Sequence, residues 1–254
     1  MHIHREVEIK CRVEDIPAFR RKLKRTGILP VKPVWRLSAK TKKGRAGEPR
    51  VREMNYLFDT PQGGLAKHGQ LLRIRIENED QPRAKEKSGS SLRTILTYKG
   101  PAMEESATRV APAASPGGSA PLDAGLAGDA LQFVSAGRHK VREEIEVEAA
   151  EPAALAHILE ALGMRAWFRY EKFRTTYRFP ATARWATGLL IELDETPIGA
   201  FVELEGPPEA IDRSAKLLGF TPKDYITRSY LELYLAECRA RGVAPAHMVF
   251  SPEK

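Results

Sequence analysis

The feature that most constrains this chain is a repeated strand pattern in which one face is apolar and the other almost wholly charged. It starts at Glu6-Val7-Glu8-Ile9-Lys10-Cys11-Arg12-Val13, where Glu6, Glu8, Lys10 and Arg12 alternate with Val7, Ile9, Cys11 and Val13. Strict alternation of this kind marks a β-strand with one wet and one dry face. The pattern returns at Arg73/Arg75 against Leu72, Ile74 and Ile76, at Lys99 after Ile95 and Thr97, and at Glu144/Glu146/Glu148 against Ile145 and Val147. It recurs at Lys172/Arg174 against Phe173, at Glu192/Asp194 against Ile191 and Leu193, and at Glu203/Glu205 against Val202 and Leu204.

Like-signed carboxylates two residues apart repel, and strand stability gains nothing from them. Divalent metal ions do call for them, since Mg²⁺ and Mn²⁺ prefer carboxylate oxygens. The basic pairs, with arginine forks and lysine point charges, suit phosphate oxygens. The apolar faces need a cover, and amphipathic helices fit at Pro152–Leu162 and Pro208–Leu218. A helix is also expected from Asp15 to Gly27, and another from about Pro222 to Arg239. The pattern therefore predicts an α+β fold: a closed antiparallel β tunnel with a charged interior and helices packed outside. Its bore would hold a polyphosphate between cationic side chains and metal ions.

Composition sets the frame for that reading. The chain has 254 residues, enough for one large domain or two small ones, and its 42% hydrophobic and 29% charged content is globular. Residues 101–137 hold ten Ala, five Gly, four Pro and four Ser, and are read as a flexible insertion at about 101–138. The strand pattern resumes at Lys140, so the insertion interrupts one domain over 1–240, with 241–254 as a tail. Strand-like stretches are also expected at Pro33–Thr41 and Arg50–Thr60, with a turn at Pro61-Gln62-Gly63-Gly64. No run approaches the ~20 apolar residues of a membrane span, and the start has no signal-peptide core. Two cysteines, Cys11 and Cys238, cannot build a disulfide framework. The six histidines show no HExxH or His/Cys zinc arrangement. The expected setting is the cytoplasm, without a membrane partner.

Residues 1–50 carry fifteen Lys/Arg against five Asp/Glu, with Arg20-Arg21-Lys22-Leu23-Lys24-Arg25 at their centre. Such a run solvates a helix face. The rival reading is a non-catalytic module for polyphosphate or RNA 5′ ends, but the many carboxylates would repel nucleic acid, which is not an expected partner.

At these residues the chain resembles the CYTH superfamily, the triphosphate tunnel metalloenzymes. The ExExK strand is matched by Glu6, Glu8 and Lys10, and Tyr56-Leu57-Phe58-Asp59-Thr60 is similar to the family's YxDT-like strand end. Further matches are Leu72-Arg73-Ile74-Arg75, Leu96-Thr97-Tyr98-Lys99-Gly100-Pro101, Arg142 to Glu148, and Glu171-Lys172-Phe173-Arg174. The last are Gly199 to Glu205 and Arg228-Ser229-Tyr230. The resemblance implies an eight-stranded tunnel enzyme that acts on a triphosphate-containing small molecule with one or two Mg²⁺ or Mn²⁺ ions. It implies metal ligation by Glu6, Glu8, Glu203 and Glu205, with Glu146 and Asp194 added. It places phosphate on Arg73, Arg75, Lys99, Lys172 and Arg174, and makes Lys10 and Lys172 candidate catalytic side chains. Hydrolysis of inorganic, thiamine or nucleoside triphosphate is the expected reaction. The alternative is the class IV adenylate cyclase reaction, ATP to cyclic AMP and pyrophosphate. The stretch Met1-His2-Ile3-His4-Arg5 lacks the His-Phe pair those cyclases carry ahead of ExExK. A homodimer is compatible with this reading. Glu6→Gln or Lys172→Ala is expected to abolish turnover while leaving thermal unfolding largely intact.

Overall fold

The computed structural model describes residues 2–32, 49–79, 92–103 and 138–251. In chain order the elements are β1 (His2–Val13), α1 (Ile16–Arg25), β2 (Leu29–Pro30), β3 (Arg50–Asp59), α2 (Gly64–Lys67), β4 (Leu71–Glu79) and β5 (Arg93–Lys99). They continue with β6 (Lys140–Ala149), α3 (Pro152–Ala161), β7 (Arg165–Arg178), β8 (Leu190–Thr196), β9 (Gly199–Glu205), α4 (Pro208–Leu217) and α5 (Tyr230–Arg241). Eight strands pair in the order β7-β3-β4-β5-β6-β1-β9-β8, and β8 pairs back onto β7. Every pairing in this ring is antiparallel, so the sheet closes into a barrel. β2 adds only two residues, opposite Tyr177 and Arg178 at the end of β7.

Closure turns the alternation of the sequence into an inside and an outside. The apolar faces of β1, β8 and β9 point outward and pack Ile9, Cys11, Ile191, Leu193, Val202 and Leu204 against Phe19 and Leu23 of α1 and Ile211 and Ala215 of α4. On another flank Leu159 of α3 meets Phe58 and Ile74, with Leu72, Ile76 and Leu96 around them. The hydrophobic core thus lies between barrel and helices, which leaves the bore to the charged faces.

Local signals set the helix boundaries where they are strong. The Asp15 side chain accepts a hydrogen bond from Ala18 N at 2.8 Å, Pro17 sits in the first turn, and Gly27 follows the helix with φ of 74°. The helix expected from Pro222 to Arg239 is instead divided. Pro222–Asp224 forms a single 3₁₀ turn, and Ile226 then exchanges backbone hydrogen bonds of 3.0 and 2.8 Å with Lys10 of β1. Pairing with a strand forces extended backbone there, and the helix restarts only at Ser229, whose capping box with Glu232 opens α5. α2 follows the predicted turn at Pro61-Gln62. Asp59 holds it by accepting from Leu65 N at 2.8 Å and Ala66 N at 2.9 Å.

After α5 the chain returns along β7. Met248 N donates to Arg169 O at 3.0 Å, Glu171 N donates to Met248 O at 2.9 Å, and Phe250 packs on Phe173. The expected strand at Pro33–Thr41 and residues 104–137 of the expected insertion lie outside the described residues. Among the described residues no helix is long and apolar enough to cross a membrane.

Both cysteines are buried, and burial pushes the Cys11 thiol up to about 12, with Asp224 adding to the shift. Native protein is therefore expected to leave Cys11 unlabelled by iodoacetamide at mildly alkaline pH and to label it on denaturation. Labelling of Cys11 in the native state would mean that the β1–α4 core opens readily.

Candidate active site

The bore encloses about 880 Å³, and eleven Lys/Arg and ten Glu side chains line it. One end is closed. Phe201, Leu57, Phe168 and Tyr170 from the strand ends pack with Tyr230 and Leu233 of α5 into an apolar floor. Tyr230 also lines the bore, donates its hydroxyl to Asp194 at 2.7 Å, and lies beneath Lys10 and Lys172, whose Nζ atoms are 5.1 and 5.3 Å from its ring centre.

The carboxylates of β1, β9 and β8 share one wall, because β1 pairs β9 with Lys10 opposite Glu203 and β9 pairs β8 with Glu203 opposite Glu192. They divide by charge environment. Burial disfavours the charged form of Glu8, but Lys10 at 3.3 Å and Lys140 at 2.7 Å outweigh it and hold the carboxyl well below its usual range. Glu203 is also held low against burial, by Lys10 at 2.8 Å, by Lys172, and by Arg174, which bonds it directly. The other three shift upward. Burial raises Glu6 although Lys99 stands 2.6 Å away, and Glu8 and Glu144 add to the shift. Burial, with Arg174 opposing and Asp194 and Glu203 reinforcing, pushes Glu192 up to about 7. Burial and then the neighbouring Glu6 and Glu192 hold Glu205 well above the carboxylate range. In all three, burial disfavours the charged form more than the neighbouring cations favour it.

The phosphate-type cations come from β4 and from β7, the latter paired directly with β8 of that wall. Arg73 of β4 donates to Tyr170 Oη at 3.2 Å and Thr97 Oγ1 at 3.1 Å, while Arg75 reaches Glu77 and Glu146 at 3.4 Å. Lys172 and Arg174 of β7 both hold Asp194, at 2.9 and 2.6 Å. Burial, reinforced by nearby Lys10, Arg142 and Lys99, lowers Lys140 to about 8 despite its contact with Glu8.

The structure thus brings Glu6, Glu8, Lys10, Arg73, Arg75, Lys99, Glu146, Lys172, Arg174, Glu203 and Glu205 to one cavity. Glu146 stands apart from the carboxylate wall, and Asp194, although on β8, is not among the residues that line the cavity. Glu146 sits with Arg73, Arg75 and Thr97, which lower its pKa against burial. Asp194 is fully buried and occupied by Lys172, Arg174 and Tyr230. The basic run of α1 lies away from the bore: Arg20 meets Glu195 at 3.2 Å and Lys22 donates to Leu218 O at 2.6 Å.

Several lining residues, some of them already on charged strand faces in the sequence, were not among the site candidates. Glu192 shares a strand face with Asp194, and Lys140 and Arg142 share one with Glu144, so parity could have found all three. Glu77 shares the charged face of Arg73 and Arg75 in the sequence, whereas Glu53 has a weaker signal, since Arg52-Glu53 puts polar groups on both faces. Tyr170 and Tyr230 carry no periodic signal; strand tilt and the α5 cap deliver them.

Two observations bear on a divalent ion. Among the described residues no three His, Cys, Asp or Glu side chains already converge on one point. The chemistry of the donor set nevertheless fits. Glu6, Glu192 and Glu205 line the bore with carboxylate oxygens, the donor type that a hard cation takes. The overall balance agrees: with eleven cations against ten carboxylates, the bore has little net charge with which to hold a polyanion unless some carboxylates are neutralised.

A family profile described as the CYTH domain matches residues 4–230. No curated protein matches the sequence significantly. Solved structures match in fold. A proposed adenylate cyclase from Vibrio parahaemolyticus superposes with a TM-score of 0.55 at 17% identity, covering 90% of this chain and 96% of that one. The PH1819 protein of Pyrococcus horikoshii OT3 gives 0.58 at 22% identity, covering 91% and 99%. A conserved hypothetical protein of Pyrococcus furiosus gives 0.53 at 20%, covering 90% and 99%. Likeness at these identities establishes the barrel fold.

Proposed function

The chain belongs to the CYTH family, and on that premise we propose that it is a divalent-metal-dependent enzyme that hydrolyses a triphosphate held in its bore. The observation that carries this reading is the pairing of two charge sets in one cavity. Arg73, Arg75, Lys99, Lys172 and Arg174 line it together with Glu6, Glu8, Glu192, Glu203 and Glu205. Phosphoryl transfer asks little covalent chemistry of a protein and much positioning and charge neutralisation.

In this reading Arg73 and Arg75 on β4 and Lys172 and Arg174 on β7 grip the phosphate oxygens. Asp194 anchors the β7 pair from behind, at 2.9 and 2.6 Å, so these cations meet the phosphates from fixed positions. Glu6, Glu8, Glu203 and Glu205 would hold Mg²⁺ or Mn²⁺, with Glu192 beside them. Lys10 stays protonated between Glu203 and Glu8 and keeps those carboxylates oriented. When bound, the ions supply Lewis-acid neutralisation of phosphate charge and activation of water.

The name of the Vibrio parahaemolyticus relative raises cyclisation as the other reaction. Cyclisation needs a seat for adenine and ribose at the open mouth. Among the described lining residues the tyrosines, Tyr170 and Tyr230, are both at the closed end. Hydrolysis needs only the phosphate seat, which Arg73, Arg75, Lys172 and Arg174 would supply.

The test offers inorganic triphosphate, thiamine triphosphate and ATP to the purified protein with Mg²⁺ or Mn²⁺, reading phosphate, pyrophosphate and cyclic AMP. Orthophosphate without cyclic AMP is expected, and Glu6→Gln is expected to slow its release by about a hundredfold or more. Cyclic AMP with matching pyrophosphate would assign cyclisation instead. RNA binding with steep salt dependence and no turnover would make the protein a binding module.

A further inference from the structure

The β3–β4 pair beside the bore carries buried polar atoms that the triphosphate reading leaves unused. Asn55 is wholly buried, shares a strand face with Glu53, and lies opposite Tyr170 on β7 and Arg75 on β4. Neither Nδ2 nor Oδ1 of its amide has a hydrogen-bond partner in the protein. The same holds for Nε of Arg73, Nε of Arg75 and Oε2 of Glu53. Glu53 Oε2 stands within ion-pair distance of Lys172 Nζ at 3.4 Å and of Arg75 Nε at 3.9 Å. The second separation is too long for a direct hydrogen bond and suits two groups that share an intervening water.

Buried polar atoms in native proteins are satisfied by protein or by ordered water. Here the unsatisfied set is mixed. Asn55 Nδ2 and the two arginine Nε atoms donate, whereas Asn55 Oδ1 and Glu53 Oε2 accept. A phosphate oxygen would match the donors and be repelled by both acceptors. A metal ion would match the acceptors and be repelled by the arginines. Water, which donates and accepts, matches both.

We propose that Asn55, Glu53, Arg73 and Arg75 form a buried water site, and that Asn55 acts through this water to fix the two arginine forks toward the bore. Asn55 is then a positioning residue for phosphate binding, and this second half rests on the triphosphate reading. The arginines keep their other contacts, to Tyr170 and Thr97 for Arg73 and to Glu77 and Glu146 for Arg75. The water would restrain the remaining freedom about Nε.

Two measurements test the two halves. A high-resolution crystal structure of the wild-type protein is expected to show an ordered water within hydrogen-bond distance of the Asn55 amide and of an arginine Nε. A dry contact there overturns the water site, whatever the substrate. For the positioning role, Asn55→Leu removes donor and acceptor at similar volume. Its KM for inorganic triphosphate is expected to rise about tenfold while kcat stays within about threefold, with calorimetric binding of the same ligand weakened in parallel. Asn55→Ser keeps a donor and an acceptor and leaves room for a second water, so it is expected within about threefold of wild type. An unchanged KM in Asn55→Leu, or equal losses in both variants, overturns the positioning role. A wild-type protein that neither binds nor hydrolyses inorganic triphosphate counts against the triphosphate reading and the positioning role together. The crystallographic result then decides the water site alone.

Discussion

Lys172→Ala is expected to unfold on the order of 10 °C below the wild-type protein, besides losing turnover. The side chain is 3% exposed, and its Nζ stands 2.9 Å from Asp194, 3.4 Å from Glu53 and 3.9 Å from Glu203. Burial argues against the ammonium, as does nearby Arg174, but Asp194, Glu53 and Glu203 outweigh both and raise its pKa. Removing one partner of a buried ion cluster leaves charge uncompensated, at a cost of about 3–5 kcal/mol. In a domain of this size each kcal/mol moves Tm by roughly 2–4 °C. Sequence reasoning expects an intact fold in this variant, because it treats Lys172 as a ligand for substrate alone; burial gives it a second, structural duty. Scanning calorimetry of the variant beside wild type decides the point. An unchanged Tm would show that water reaches Asp194 and Glu53 freely enough to replace the ammonium.

The second large effect is a loss of stability with rising pH when divalent ions are chelated. Glu6, Glu192 and Glu205 have folded-state pKa values above the ordinary carboxylate value, chiefly through burial. Below that ordinary value both folded and unfolded chains hold these protons, and stability is full. Above it the unfolded chain releases protons that the folded chain retains, so stability falls until the folded groups also ionise. For Glu192, a shift from 4.5 to about 7 corresponds to on the order of 3 kcal/mol. Glu8, Glu53 and Glu203 act on the other side: their pKa values are lowered, and their contribution is lost as pH falls below the carboxylate range. Lys140, lowered to about 8, adds stability as pH rises only above that value. Tm in EDTA is therefore expected to peak near pH 5 and to drop by several degrees toward pH 8. Mg²⁺ or Mn²⁺ should restore most of the loss, and Glu205→Gln should flatten the profile. A flat profile for the wild-type protein in EDTA would mean that Glu192 and Glu205 ionise without penalty. A drop that neither ion reverses would count against metal binding at this wall.

Much of this site is legible in the sequence because a strand's period of two is a local property. Whether Glu6 shares a face with Glu8, or Lys172 with Arg174, follows from position parity alone. That charged faces point inward follows from the need of the apolar faces for a helical cover. Where local signals are mixed the reading falters. Arg52-Glu53 hides which of the two lines the bore, and Pro222-Lys223-Asp224 reads as the first turn of a helix that begins only at Tyr230. In the latter case the competing interaction is non-local, the exchange of backbone hydrogen bonds between Ile226 and Lys10.

The sequence by itself determined the charged bore, the basic and acidic strands that build it, and the outward core beneath α1, α3 and α4. Only the tertiary structure decided which charges meet. Lys99 reaches Glu6 from a strand 93 residues away, at 2.6 Å, and Lys140 reaches Glu8 across 132 residues, at 2.7 Å. Those meetings depend on strand order, register and the closure of β8 onto β7, none of which leaves a local trace in the chain. The same closure makes Asp194 an anchor for two cations, carries Tyr230 beneath them, and leaves Glu205 short of a counter-charge. Parity tells which face a side chain takes; the energy of a buried charge depends on what stands across the barrel, and only the fold supplies that.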